Sequence, residues 1–252
     1  MPITRFQFTL RRLLAAVALL AVLVCFGVMP LRRAREEASC EANLRTIGLA
    51  LQSYHSAYGC FPPAYTTDSS GNPMHSWRVL ILPFTGEDAL YRSYRLDEPW
   101  NGPNNSRLAG KMPAFFACLA HARPSYSNYA VVVGPETAFP GPRSSSLSQI
   151  MDGTTRTILV AEVKGGAIPW MEPRDLNMPA ITEPDREKYI PAFRATDQDL
   201  LKQGLADGDH HSKGAHFLFA DQHVEPLRFA DGIPLRVMLT IAGYEVICNE
   251  RP

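Results

Sequence analysis

The sequence LLAAVALLAVLVCFGVM, residues Leu13–Met29, contains seventeen consecutive residues without a charged side chain. Because an α-helix rises about 1.5 Å per residue, such a run spans ~26 Å, close to the ~30 Å thickness of the hydrocarbon core of a bilayer. Leu10, Pro30 and Leu31 can extend the apolar segment. We therefore predict a transmembrane helix over residues 13–31, with the lipid bilayer as its partner through Leu13–Met29.

A cleavable signal peptide is the alternative, because a basic start before an apolar run is typical of both kinds of segment. Signal peptides need small residues after the run, whereas Pro30, Leu31 and two arginines follow here. The sequence therefore favours an uncleaved anchor. Three arginines precede the run and three follow it, so the positive-inside rule leaves the orientation open. These arginines are Arg5, Arg11, Arg12, Arg32, Arg33 and Arg35.

A second helical pattern follows the apolar run and predicts a stalk helix over residues 32–59. Apolar residues recur there at steps of three and four, which places them on one stripe of a helix. Gly59 can cap the helix, and Pro62 and Pro63 cannot continue it. We expect the stripe to pack against the following domain, since two heptads are too short for a coiled coil. The stripe consists of Leu44, Ile47, Leu51, Tyr54 and Tyr58.

Charge is distributed unevenly along the chain. Residues 1–35 hold six arginines and no acidic residue, whereas residues 36–252 hold 19 basic against 25 acidic residues, a net charge of −6. Binding of nucleic acid needs a concentrated basic face, so we predict no nucleic-acid partner. Residues 1–12 form a basic leader, and residues 60–252 form the domain that the stalk carries, which we call the head.

The head is predicted to be an α+β domain with a small antiparallel sheet, because its elements are short and show no regular βαβ order. Tyr129–Val133 and Thr157–Val163 are β-branched runs and indicate strands. Glu87–Tyr94 indicates a helix. For Ser76–Pro83 the pattern leaves strand and helix open, although Ser76 is a candidate N-cap.

A β-hairpin is predicted near the C-terminus. His216–Ala220 and His223–Leu227 flank Asp221–Gln222, which would form a two-residue turn. A type I′ turn needs a positive φ at both central residues, and the Cβ of Gln222 would cost ~1 kcal/mol there. The alternative is a longer loop that ends at His223. We expect the two-residue turn, with His216 opposite Leu227.

Several segments along the chain carry motifs of one protein family. Phe8-Thr9-Leu10 resembles the prepilin cleavage motif, and a stalk segment follows, RAREEASCEANLRTIGLALQSYHSAYGCFPPAY (Arg33–Tyr65). The head contains three signatures, MHSWRVLILPF (Met74–Phe84), EPWNGPNN (Glu98–Asn105) and PWMEPRDL (Pro169–Leu176), and nine residues separate His211 from Asp221. Together these segments resemble the stalk, the head signatures and the C-terminal His-x9-Asp-Gly motif of a large bacterial family of pilin-like proteins, catalogued as domain of unknown function 1559.

The resemblance implies a single-pass protein of the bacterial inner membrane with its head on the exported, periplasmic side. It implies a structural or surface-interaction role without catalysis, with protein partners bound through the stalk or the head. Three residues depart from the pattern: Gln7 replaces the Gly before the scissile bond, Arg12 replaces the Glu that supports assembly, and Gln222 replaces the motif Gly. We therefore predict that the leader is not cleaved, and filament assembly stays open.

No sequence motif of an enzyme is present, so we predict no catalytic, cofactor-binding or metal-binding residue. Histidines cluster near Asp207–His211, but the hairpin places His216 and His223 ~13 Å apart. That distance is too long for one zinc ion with bonds of ~2 Å. The alternative function is an exported ligand-binding protein or metal-dependent enzyme. It would use the Trp170–Asp175 loop, where an aromatic residue lies beside three charges, or the His210–His211 segment.

The five cysteines leave the redox state open. Cys25 lies in the apolar run and is expected to pack there as a small apolar side chain. The other four, Cys40, Cys60, Cys118 and Cys248, can pair in three ways or stay as thiols. We predict a disulfide between Cys60 and Cys118, because both lie beside turns rich in proline or aromatic residues.

Overall fold

The computed structural model describes residues 10–119, 123–163, 168–178, 200, 202–203, 205, 214–227 and 238–242. A long helix begins the described chain. Its parts are α1 (Leu10–Leu23), a π-helical turn (Val24–Val28) and α2 (Met29–Tyr58). Pro30 has no N–H to donate inside the helix, and the backbone just before it adopts the wider turn, with Met29 N–H bonded to Val24 O.

The helix ends where the sequence predicts. Gly59 adopts a left-handed conformation, with φ of 74°, and donates its N–H to His55 O. A residue with a Cβ is strained in this conformation, which explains the use of glycine.

From Leu13 onward the apolar side chains of α1 are exposed, and none of the described head residues covers them. By length and composition, the helix Arg12–Tyr58 could cross a membrane. A signal sequence has the same properties near an N-terminus. The exposed side chains of α1 and the π-turn are Leu13, Leu14, Val17, Leu19, Leu20, Val22, Leu23, Val24, Phe26 and Val28.

The stripe of α2 packs on the head, as predicted. Leu44, Ile47 and Leu51 are fully buried. Tyr54 is half-buried, and Tyr58 is exposed, so the contact with the core fades toward the end of the helix. The aromatic rings of Tyr54 and Tyr58 instead lie near Phe84 at the edge of the head.

The head contains short helices and strands, in agreement with the predicted α+β class. The helices are α3 (Trp77–Leu80) and α4 (Asp88–Ser93), and short 3-10 turns lie at Leu82–Phe84, Asn105–Lys111, Ala114–Phe116 and Leu147–Gln149. The first strands are β1 (Tyr65–Thr67), β2 (Pro73–Ser76), β3 (Tyr126–Ser127), β4 (Tyr129–Ala130) and β5 (Val132–Val133). The others are β6 (Ile158–Glu162), β7 (Ile168–Pro169), β8 (Leu176–Asn177), β9 (Ala215–Phe219) and β10 (Val224–Leu227).

The segment Ser76–Pro83, which the sequence left open, is helical at its start. Ser76 is the N-cap of α3, and its side chain accepts a hydrogen bond from Arg78 N. The predicted helix near Glu87 is confirmed as α4, and the two predicted strands are confirmed as β4 with β5 and as β6.

The main sheet is antiparallel and has the order β10-β9-β6-β4. Three two-stranded pairs accompany it, namely β1–β2, β3–β7 and the parallel pair β5–β8. Leu218 of β9 points toward α2, whereas Phe217 and Phe219 point to a second core on the opposite face. Burial of both faces explains why every residue of β9 is buried.

The predicted hairpin exists, but the predicted two-residue turn is wrong. Gln222 N–H bonds Phe219 O, and Phe219 N–H bonds His223 O, which gives a three-residue loop. His216 therefore pairs with Pro226 instead of Leu227. A positive φ is found at Gln222 (78°) but not at Asp221. The loop thus needs the left-handed conformation at one residue only, which costs less than a type I′ turn.

Candidate functional site

Trp170, in the loop that the sequence offered as a ligand site, is a core residue. It follows β7 and is only 1% exposed. Its indole Nε1 donates a hydrogen bond to Ala109 O at 3.0 Å, and its ring stacks near Phe116. The aromatic side chain therefore fastens the loop to the head.

Asp175, at the other end of this loop, binds groups of the protein itself. Its Oδ1 accepts hydrogen bonds from Arg78 Nη2 at 2.6 Å, from Val131 N at 3.0 Å and from Trp77 Nε1 at 3.2 Å. The side chains of Arg78 and Asp175 are 0% and 1% exposed. Burial raises the pKa of the Asp175 carboxyl, and the guanidinium of Arg78 opposes this shift.

Arg78 has partners for its other donors as well. Nε and Nη2 donate to Tyr129 O at 3.2 and 2.8 Å, and Nη1 donates to Ser76 Oγ at 2.9 Å. A buried charge is tolerated when it is paired and hydrogen-bonded in this way. Arg78 and Asp175 belong to two different head signatures, so the ion pair joins two segments that the sequence separates by 97 residues.

The remaining charges of the loop form a pair at the surface. Arg174 Nη2 lies 3.2 Å from Glu172 Oε2, and the two side chains are 53% and 24% exposed. Among the described residues, the polar groups of the Trp170–Asp175 loop thus contact other groups of the chain. Its arrangement is that of a structural anchor.

The signature EPWNGPNN also stabilises the head. Glu98 accepts hydrogen bonds from the backbone N–H groups of Asn104 and Asn105 at 2.8 and 2.6 Å, which closes the loop between them. The buried side chain of Asn105 donates to the carbonyl groups of Arg95 and Pro99. The carboxylate thereby satisfies backbone N–H groups that have no partner from a helix or strand in this loop.

The structure brings together one group of potential metal ligands in the part of the chain that it describes. Cys40 lies on α2 one turn before Leu44, Cys118 follows the 3-10 turn Ala114–Phe116, and Glu162 is the last residue of β6. All three are buried, and their ligand atoms lie within 4.8 Å of one another. Sequence reasoning missed this group because its members come from distant segments.

The thiol of Cys40 donates to Cys118 Sγ at 2.7 Å. The predicted disulfide between Cys60 and Cys118 is therefore wrong, and Cys60 is a half-buried thiol elsewhere. Cys40 could pair with any of three other cysteines, and nothing in the sequence shows that its side chain faces Cys118. The contact with Cys118 and burial raise the pKa of the Cys40 thiol.

The described histidines bind separate partners. Glu162 Oε2 accepts a hydrogen bond from His216 N at 3.1 Å and lies 3.4 Å from His216 Nδ1. His223 Nδ1 contacts Asp221 Oδ1, and its ring stacks on Phe219 with centroids 4.2 Å apart. His216 and His223 thus do not come together. His210 and His211 lie outside the described residues, so a metal site there stays untested.

A comparison with protein families finds a match over the stalk helix and the first part of the head. Residues 32–142 match the family described as "Protein of unknown function (DUF1559)". This match confirms the predicted resemblance and includes two of the head signatures, Met74–Phe84 and Glu98–Asn105. The Pro169–Leu176 and His211–Asp221 motifs lie beyond it. No curated protein and no solved structure was found to match the chain.

Proposed function

We propose that the protein is a membrane-anchored, pilin-like protein with an exported head and a structural or surface-interaction role. The observation that carries this proposal is the contrast along the long helix. Its apolar residues are exposed in α1, whereas the head buries one face of α2 between Cys40 and Leu51. A water-soluble protein rarely leaves so many large apolar side chains exposed, whereas a bilayer covers them.

The absence of catalysis is part of the proposal. Asp175 and Glu98, carboxylates of two head signatures, accept hydrogen bonds from the head itself. Arg78, the buried cation of the third signature, donates to the head in the same way. A catalytic group must instead reach a substrate. Because the signature residues bind other groups of the head, we infer that they stabilise the head, whose surface the partners would recognise.

The orientation follows from the family resemblance, with the head on the exported side of the inner membrane. Gln7 and Arg12 support retention of the leader, because neither suits cleavage or the assembly of a pilin. The helix would then be an uncleaved anchor, and the lipid bilayer would contact Leu13–Met29.

Labelling of cysteines that are introduced one at a time tests the orientation. Ser70 lies exposed in the turn between β1 and β2, and Thr4 lies in the leader. In cells with a permeable outer membrane, an impermeant maleimide should label Ser70→Cys above the wild-type background. Thr4→Cys should react only after the inner membrane is lysed. Labelling in the opposite order would place the head in the cytoplasm and overturn the proposal.

The intact mass of the membrane-bound protein tests the anchor. We expect a chain that retains residues 1–12 and resists carbonate extraction. A head released into the soluble fraction without the apolar run would identify a signal peptide. A chain that begins at a methylated Phe8 would show processing by prepilin peptidase.

A further inference from the structure

The pair Cys40 and Cys118 lies where the stalk helix meets the head. Both side chains are fully buried, and their Sγ atoms are 2.7 Å apart. Bonded sulfur atoms are ~2.0 Å apart, so closure by ~0.7 Å would complete a disulfide. We propose that Cys40 and Cys118 form a disulfide bond that links the stalk covalently to the head.

Neighbouring hydrogen bonds hold both cysteines in place. Asn43, one turn after Cys40, donates from Nδ2 to Ala117 O at 2.8 Å. Cys118 N–H donates to Asn128 Oδ1 at 2.9 Å, and Asn128 N–H donates to Phe116 O at 2.9 Å. The two backbone segments are thus docked side by side, which lets the bond form without a rearrangement of the backbone.

A metal site is the competing use of the same residues, with Glu162 as a third ligand. Two thiolates on one zinc ion, with bonds of ~2.3 Å in a tetrahedron, lie ~3.8 Å apart. The sulfur atoms would have to separate by ~1 Å in a buried site to admit the ion. The observed distance therefore favours the disulfide.

Formation of the bond is an oxidation and needs an acceptor. The two thiols lose two protons and two electrons, and a protein disulfide of an exported thiol oxidoreductase takes them up and becomes a dithiol. The exchange passes through a mixed disulfide between one cysteine of the chain and the oxidant. Because both cysteines are buried in the folded head, this exchange must precede the docking of α2.

The proposal rests on the proposed export of the head, because thiols stay reduced in the cytosol. Its consequence is mechanical. The bond closes a loop between residues 78 positions apart, so α2 cannot separate from the head unless the bond is reduced. A force applied to the head would then reach the membrane through a covalent link near the base of the head.

Peptide mapping of the full chain tests the bond. Cells are lysed under denaturing conditions with N-ethylmaleimide, and the protein is digested with trypsin without reduction. Cys40, Cys60 and Cys118 fall in separate peptides, Glu36–Arg45, Thr46–Arg78 and Met112–Arg143, since trypsin does not cleave the bond between Arg123 and Pro124. We expect the first and third peptides joined and two hydrogens lighter than their sum, with Cys60 alkylated. The Ser70→Cys labelling can show that the head is exported while both Cys40 and Cys118 are found alkylated. That combination would overturn the disulfide and leave the proposed function standing.

Three further measurements separate the disulfide from a metal site and from an error in the proposed orientation. Reduction should lower the melting temperature of the wild type and of the control Cys60→Ser, but not that of Cys40→Ser with Cys118→Ser. One zinc per purified wild-type chain, lost in that double variant, would overturn the disulfide in favour of a metal site. If labelling places the head in the cytoplasm, the purified chain is denatured and refolded in the presence of oxidised glutathione, because the thiols are accessible only before α2 docks. Failure to join the two peptides then refutes the pairing itself.

Discussion

Leu20 and Leu44 lie on the same long helix, but their surroundings differ completely. Leu20 is 62% exposed in α1, whereas Leu44 is 0% exposed under the head. The sequences differ correspondingly, since α1 is apolar on all sides from Leu13 onward and α2 carries one apolar stripe. A helix that is apolar all round needs an apolar environment on every side, whereas a stripe needs one protein surface.

The same two regions differ in their treatment of charge. Leu13–Met29 contains no charged residue. The core of the head, by contrast, encloses Arg78 and Asp175, which bind each other and several backbone groups. In the proposed lipid environment, which offers no such partners, a charge within Leu13–Met29 would be left without compensation. The comparison indicates that the head is held together by specific polar contacts as well as by apolar packing.

Removal of one partner of the buried ion pair should have the largest effect. Asp175→Ala leaves the guanidinium of Arg78 buried without its carboxylate, and we expect a loss of ~3–5 kcal/mol in the free energy of unfolding. Chemical denaturation of the full chain in detergent, followed by near-UV circular dichroism of the head, measures it.

Glu172→Ala is the matched control for Asp175→Ala. It removes the carboxylate of a partly exposed ion pair in the same loop, and its expected cost is at most ~1 kcal/mol. Equal stabilities of the two variants would mean that Asp175 is not an anchor of the core. The contrast between the charge-free helix and the head would then have no energetic basis.

The paired substitutions Leu44→Ala and Leu20→Ala test the two halves of the helix directly. Leu44→Ala opens a cavity in the core and should cost ~2–5 kcal/mol of head stability. Leu20→Ala should change it by no more than ~0.5 kcal/mol, since the head does not cover this residue. The same denaturation experiment compares them. A large loss for Leu20→Ala would show that α1 packs on protein, for example on another copy of the chain.

The elements that the sequence predicted depend on local patterns. The stripe of α2, the cap at Gly59 and the strands β4–β6 each follow from residues within one element. The contacts that it missed join distant segments: Cys40 meets Cys118 from 78 positions away, and Arg78 meets Asp175 from 97. The signatures contained both partners of the ion pair, but their spacing carried no sign of the contact. In the hairpin, pairing of Phe219 with His223 decided the loop, whereas turn composition alone suggested two residues.

The smallest predicted effect concerns Gln222, where the tip of the hairpin contacts α2. Its φ of 78° is unfavourable for a residue with a Cβ, by ~1 kcal/mol. Its Nε2 is buried without a hydrogen-bond partner in the described part of the chain. Its Oε1 lies close to Gly48 of α2, since a Cβ added to Gly48 would be only 2.5 Å from this oxygen. The side chain therefore adds little to offset the strain of the backbone.

We expect Gln222→Gly to raise the free energy of unfolding by ~1 kcal/mol, reduced in part by the greater entropy of glycine in the unfolded chain. Ser125→Gly is the matched control, because Ser125 has a similar φ of 68°. Ser125→Gly relieves a similar backbone strain but removes no buried amide. We therefore expect it to raise the free energy of unfolding by less than Gln222→Gly does. Melting temperatures of the full chain in detergent compare the two. A lower melting temperature for Gln222→Gly alone would mean that the packing of Gln222 on α2 outweighs its strain, and that the hairpin tip helps to hold the stalk.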